Sequence, residues 1–257
     1  MKYHTLNEIK FIIFDLDGVF YRDHDVIDGG KDIIKFLDAN KIGYCFLTNN
    51  SCFPLQTYQE KLKVCGITIN EEKIITTTSL LCSYITSKQF QDIYVLGSPH
   101  LKSILYEKFR HNDVNPDALV VGMYDLINLE DISKAISVLE KDSEIIAANP
   151  DKLIPKKDGF GLECGIILDI LHSVTNKKSF VVGKPNAYAF DFILENFNVK
   201  REEVLMVGDT YDTDILGALN SDIKAAWVQT GNVLPKDINQ HQFISLKSLH
   251  DLIKILL

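Results

Sequence analysis

No apolar run in the sequence approaches the ~20 residues that a membrane-spanning helix needs. Cysteine is scarce and unpatterned. Cys45, Cys52, Cys65, Cys82 and Cys164 make an odd number with no Cys-x-x-Cys pair, which argues against a disulfide framework and a zinc ribbon. Free thiols in a reducing compartment are the expectation. Basic charge is in deficit: 27 Lys and Arg stand against 35 Asp and Glu, a net charge of −8. That balance disfavours a general nucleic-acid or anionic-membrane binder. It leaves room for a small phosphorylated substrate, because a bound cation and one lysine reverse the local field. No signal peptide is expected either: the first apolar run is short and ends in two acids, with no small-residue cleavage site. A cytoplasmic protein is therefore expected. Internal repeats, low-complexity stretches and Pro/Gly/Ser-rich linkers are all missing.

What the 257 residues do contain is ordinary globular material, 46% hydrophobic and 24% charged, enough for one large domain or two smaller ones. Short apolar runs alternate with helical periodicity, which predicts an α/β fold. Strands are expected at Phe11–Phe14, Ile42–Leu47, Asp92–Leu96, Ala118–Val121, Glu144–Ala148, Ser179–Val182, Val204–Val207 and Ile223–Val228. A helix is expected over Leu162–Val174 and a short one over Ile215–Asn220. The polar strand ends that could do chemistry cluster toward the two ends of the chain. The stretch 82–177 has its own strands and helices but few such groups. It reads as a second α/β unit inserted into a core made of 1–81 and 178–257.

The core begins with Lys10-Phe11-Ile12-Ile13-Phe14 running into Asp15-Leu16-Asp17-Gly18. Four apolar residues suit a strand buried on both faces, and ligands of open α/β sheets bind just past the carboxyl ends of strands. Phosphoryl transfer through an aspartate needs a nucleophilic carboxylate and an acid that protonates the leaving oxygen and later takes a proton from water. It also needs a hard cation, for which Mg²⁺ suits oxygen ligands, and donors with a fixed positive charge around the equatorial oxygens. Asp15 and Asp17 supply nucleophile and acid/base. Thr48, Asn49 and Asn50 supply hydroxyl, amide and backbone donors, Lys184 the charge, and Asp209 with Asp214 further metal-binding oxygen. Singly, each segment has a plain structural alternative: an acidic turn, a helix-capping loop, an exposed Gly-Lys-Pro turn, an acidic N-cap. Their joint occurrence after buried strands is what points to chemistry.

In order, Asp15-Leu16-Asp17-Gly18, Thr48, Lys184 and Gly208-Asp209 through Asp214 resemble the four motifs of the haloacid dehalogenase superfamily. More narrowly, Asp17-Gly18-Val19-Phe20-Tyr21, Leu47-Thr48-Asn49-Asn50-Ser51, Ala148-Asn149-Pro150-Asp151, Gly183-Lys184-Pro185 and Thr213-Asp214-Ile215 resemble its NagD-like branch. That branch includes 4-nitrophenyl, phosphoglycolate and pyridoxal phosphate phosphatases. The resemblance implies a Rossmann-like core with a parallel sheet and an inserted α/β cap that can pair across a homodimer. It implies Asp15 as the nucleophile and Asp17 as the general acid/base. Mg²⁺ would be held by the Asp15 carboxylate, the Asp17 backbone carbonyl and Asp209, with Asp214 ordering the metal's water shell. Thr48, Asn49, Asn50 and Lys184 would bind the transferring phosphate of a small metabolite. The chain departs from the branch at Ile27-Asp28-Gly29-Gly30, where a proline often precedes the glycine. It departs again at Gly161-Leu162-Glu163-Cys164-Gly165, where Glu163 and Cys164 occupy a stretch that is often small. The expectation is a Mg²⁺-dependent phosphatase, with a phosphotransferase or mutase, or a non-catalytic phosphate-binding module, as the alternatives.

Overall fold

A computed structural model describes residues 6–124, 127–139, 142–156, 159–236 and 238–257. The chain divides into two compact units. One holds the residues up to Thr48 together with Leu55–Ile75 and Pro185–Leu257; the other holds Asn49–Pro54 and Thr76–Lys184.

The first unit is built on a six-stranded sheet. Its strand order is Ile244–Leu246, Lys224–Val228, Val204–Gly208, Phe11–Phe14, Gly43–Thr48, Ile74–Thr76. The strand Phe11–Phe14 lies near the centre, parallel to both neighbours, with Phe14 in register with Val207 on one side and Phe46 on the other. All four of its residues are buried, each contributing about 1.5–3 kcal/mol by leaving water. Phe14, Phe20 and Phe46 meet at ring separations of 5.2, 6.1 and 5.1 Å. Helices Gly30–Asn40 and Leu249–Leu256 add Ile33, Leu37, Leu249 and Leu252 to the same core. Because the strands run parallel, Asp15, Thr48 and Asp209 all emerge at one edge of the sheet, the carboxyl edge where α/β sheets take ligands.

The second unit carries its own five-stranded sheet in the order Ser179–Val181, Glu144–Ala147, Ala118–Val121, Asp92–Leu96, Arg110–His111. Every adjacent pair in it is parallel. Its core is separate, centred on Leu96, Leu119, Val121, Ile145, Leu168 and Leu171. Among the described residues no helix is long and apolar enough to cross a membrane.

Several local expectations shift. The strand Ser179–Val181, expected in the core, pairs with Glu144–Ala147 of the second sheet. The helix Thr77–Ser87 groups wholly with that unit as well, so the inserted stretch reaches from Thr76 to Lys184 instead of 82–177. Strand pairing decides the first point and packing the second, and no change in composition marks them. Leu162 is not helical: it closes an antiparallel ribbon, Leu153–Lys156 against Gly159–Leu162, and the helix begins at Cys164, with Glu163 as its cap. The short helix expected from Ile215 is preceded by a π-helical turn over Tyr211–Ile215.

Candidate active site

The opening strand delivers Asp15 directly. Its backbone N–H donates to the carbonyl of Val207 at 2.9 Å, so the parallel ladder persists one residue past the strand and fixes where the side chain leaves the sheet. The chain then turns at once. Phe20 N donates back to Leu16 O at 3.0 Å and Gly18 N to Tyr21 O at 2.7 Å, and Gly18 takes φ +79°, which a residue with a Cβ rarely adopts. The turn buries Leu16, Val19 and Phe20 and leaves Asp17 exposed. Two carboxylates two residues apart thus occupy different environments, one at the sheet edge and one in solvent.

The adjacent parallel strand brings the other acids to the same edge. Asp209 follows Val204–Gly208 and is 4% exposed. Asp214, on the π-helical turn, is fully buried; its Oδ2 accepts from Thr210 N at 3.0 Å. Carboxylate oxygens of Asp15, Asp209 and Asp214 lie within 4.8 Å of one another. Like charges this close repel, and burial raises the cost of each. The donor set is all hard oxygen, the chemistry that Mg²⁺ selects. The backbone around it is cut to fit: a Cβ on Gly18 would stand 2.3 Å from Asp209 Oδ2, one on Gly231 1.8 Å from the same atom, and one on Gly208 2.2 Å from Asp214 Oδ2. These residues fit a divalent cation. Asp17, whose carboxylate lies outside the trio, is chemically suited to proton transfer.

Thr48, the last residue of its strand, is buried at the same edge. The remaining predicted phosphate ligands lie in the second unit, where Asn49 and Lys184 come together. Asn49 Nδ2 donates to Lys184 O and to Asp151 Oδ2, both at 3.0 Å. The Asn49 carbonyl accepts from Asn149 Nδ2 at 2.9 Å and Thr77 Oγ1 at 3.0 Å. Asn50 caps its own turn, its Oδ1 accepting from Cys52 N at 2.8 Å. Lys184 is buried, only 2% exposed.

Three groups escaped the sequence reading. Trp227 donates from Nε1 to Asp209 O at 2.7 Å. Asn232 donates to Asp209 Oδ2 from its backbone N at 2.8 Å and from Nδ2 at 2.9 Å. Tyr21 has a buried hydroxyl without a hydrogen-bond partner. Burial, and then the charges of Asp17 and Asp15, push that hydroxyl's pKa well above its usual value. Only the position of Thr230-Gly231-Asn232 at the end of a strand on the same edge hinted at the second.

Family comparison agrees with the geometry. Residues 12–108 match the haloacid dehalogenase-like hydrolase family, and 181–252 match a second HAD-hydrolase-like family. The acid sugar phosphatase of Staphylococcus haemolyticus is 30% identical over 250 residues, covering 96% of this chain and 95% of that one. Among solved structures, the 4-nitrophenylphosphatase of Thermotoga maritima superposes with a TM-score of 0.92 at 30% identity, covering 99% of this chain and all of the other. The p-nitrophenyl phosphatase of Archaeoglobus fulgidus gives a TM-score of 0.88 at 25% identity, over 96% and 98% of the two chains. The chain belongs to the haloacid dehalogenase-like hydrolases, in their NagD-like branch of phosphatases.

Proposed function

We propose that this phosphatase is Mg²⁺-dependent and hydrolyses a small phosphorylated metabolite, a sugar phosphate in the first instance, through an aspartyl-phosphate on Asp15. The observation that carries the reading is the convergence of Asp15, Asp209 and Asp214 within 4.8 Å, with Asp17 exposed two residues from Asp15. The sugar-phosphate preference is drawn from the acid sugar phosphatases that the chain resembles.

Asp15, the Asp17 carbonyl and Asp209 would hold the cation, with Asp214 ordering its water. When bound, it supplies the positive charge that lets an anionic carboxylate meet an anionic phosphate. Asp15 attacks phosphorus as the bond to the leaving oxygen breaks. Asp17 gives that oxygen a proton, then takes one from the water that attacks phosphorus and frees Asp15 and inorganic phosphate. The Thr48 hydroxyl, backbone N–H groups of Asn49 and Asn50, and the Lys184 ammonium steady the equatorial oxygens, where charge is spread in the transition state.

Two further expectations join this reading. The cytoplasm is its compartment, in keeping with five buried free thiols. A homodimer paired through the inserted domain is supported by Leu153 and Leu162, which face each other across the ribbon and are 50% and 59% exposed. A monomer by light scattering overturns the dimer alone.

The catalytic test is hydrolysis of 4-nitrophenyl phosphate and a panel of sugar phosphates with and without Mg²⁺, in ¹⁸O-labelled water. Turnover should need Mg²⁺, place one labelled oxygen in phosphate, and vanish in Asp15→Asn. Full activity in that variant or in excess chelator would falsify the mechanism; phosphate appearing on an alcohol acceptor identifies a phosphotransferase.

A further inference from the structure

Asn232 stands on the loop after the strand Lys224–Val228, 23 residues from Asp209, and its polar hydrogens converge on that side chain. The backbone N–H and one Nδ2 hydrogen both go to Asp209 Oδ2, at 2.8 and 2.9 Å. The other Nδ2 hydrogen goes to Thr210 Oγ1 at 2.8 Å, and Thr210 Oγ1 in turn donates to Asp209 Oδ1 at 3.2 Å. A carboxylate oxygen offers about two lone-pair sites, so the two donors fill Oδ2.

The loop is itself braced. Thr230 Oγ1 donates to Gly18 O at 2.7 Å, and Arg22 donates to the carbonyls of Thr230 and Gly231 at 2.9 and 2.7 Å. The peptide that presents Asn232 is thereby tied to the turn carrying Asp17 and Gly18. Gly231 admits this approach because a Cβ there would overlap Asp209 Oδ2. None of these bonds is needed to cover apolar surface, since Asn232 is exposed.

We infer that Asn232 is a positioning residue for the metal centre: it fixes the orientation of the Asp209 carboxylate and holds it ready to bind a cation. The inference rests on the magnesium reading of the acidic trio. Partners that orient a metal ligand govern affinity roughly 10- to 100-fold, whereas exposed side chains contribute little to folding.

The test is calorimetric titration of Mg²⁺ into chelator-stripped full-length wild type, Asn232→Ala, Asn232→Ser and Asp209→Asn, with thermal midpoints of the stripped proteins. Asn232→Ala should weaken the Mg²⁺ Kd about 10- to 100-fold. Asn232→Ser, whose hydroxyl is a donor, should recover part of the affinity. Wild-type Kd in Asn232→Ala overturns the inference, as does a lowered metal-free midpoint with unchanged Kd. No Mg²⁺ binding by wild type, or undiminished binding by Asp209→Asn, removes the magnesium reading instead.

Discussion

Asn49 donates to the carbonyl oxygen of Lys184 at 3.0 Å across 135 residues of sequence. Its other amide hydrogen goes to Asp151 Oδ2, so both side-chain donors are spent within the second unit. Its Oδ1 is buried without a partner and faces Gly183, where a Cβ would come within 2.7 Å. The side chain of Asn49 therefore positions the lysine peptide. Loss of one neutral and one charge-assisted hydrogen bond amounts to about 2–4 kcal/mol. Asn49→Ala should lower kcat/KM about 30- to 900-fold, Asp151→Ala should lower it as well, and the double variant should be far from additive. Steady-state kinetics of the three variants decide it; additive losses mean that Asn49 and Asp151 act separately.

Gly231→Ala should disable the proposed Mg²⁺ site more than the fold. The new methyl would sit 1.8 Å from Asp209 Oδ2, so the carboxylate or the loop must move. Overpacking of this kind costs about 1–3 kcal/mol. A ligand that binds only the native state raises the thermal midpoint. Wild type should therefore show a midpoint rise on adding Mg²⁺, and Gly231→Ala should lose most of it. An undiminished rise would mean that Asp209 relaxes without loss.

The opening strand and its acids were legible because the signal is contiguous: four apolar residues, two carboxylates and a glycine within eight positions. Lys184 and Asp209 were legible for the same reason, each following an apolar run. Asn232 was not, because Thr-Gly-Asn reads as an ordinary turn until Asp209 is seen beside it. The strand Ser179–Val181 was recognised, but its sheet was not, since register with Ile145, Ile146 and Ala147 leaves no mark in composition. The ribbon ending at Leu162 was missed because Leu162, Ile166 and Ile170 keep helical spacing across a boundary that Glu163 sets by capping.

Alkaline pH should weaken the fold through its buried thiols. Burial pushes the Cys164 thiol from about 9 up to about 12, and burial raises Cys45 further. Below about pH 9 these thiols stay protonated in both folded and unfolded chains, and stability does not depend on them. Above it the unfolded thiols ionise while the folded ones do not, so stability should fall from about pH 9 through about 12. Denaturant titrations across that range check the slope. Cys164→Ala should flatten it, and at pH 8 the folded protein should resist iodoacetamide at Cys164.

Tyr21→Phe should leave stability unchanged or raise it by about 1 kcal/mol. The hydroxyl is buried beside Lys61, whose ammonium lies 4.6 Å from the ring centroid, and no bond offsets the water it gave up. A buried donor left unsatisfied costs about 1–3 kcal/mol, while the ring, its cation contact and the backbone pairing to Asp17 all survive the substitution. The variant should also keep wild-type kcat/KM, because the backbone of Tyr21 shapes the Asp17 turn through its carbonyl bond to Gly18 N. Thermal unfolding and kinetics on one preparation settle both points. A drop in stability would reveal a partner for the hydroxyl, and a drop in rate alone would place that partner in the Asp17 turn.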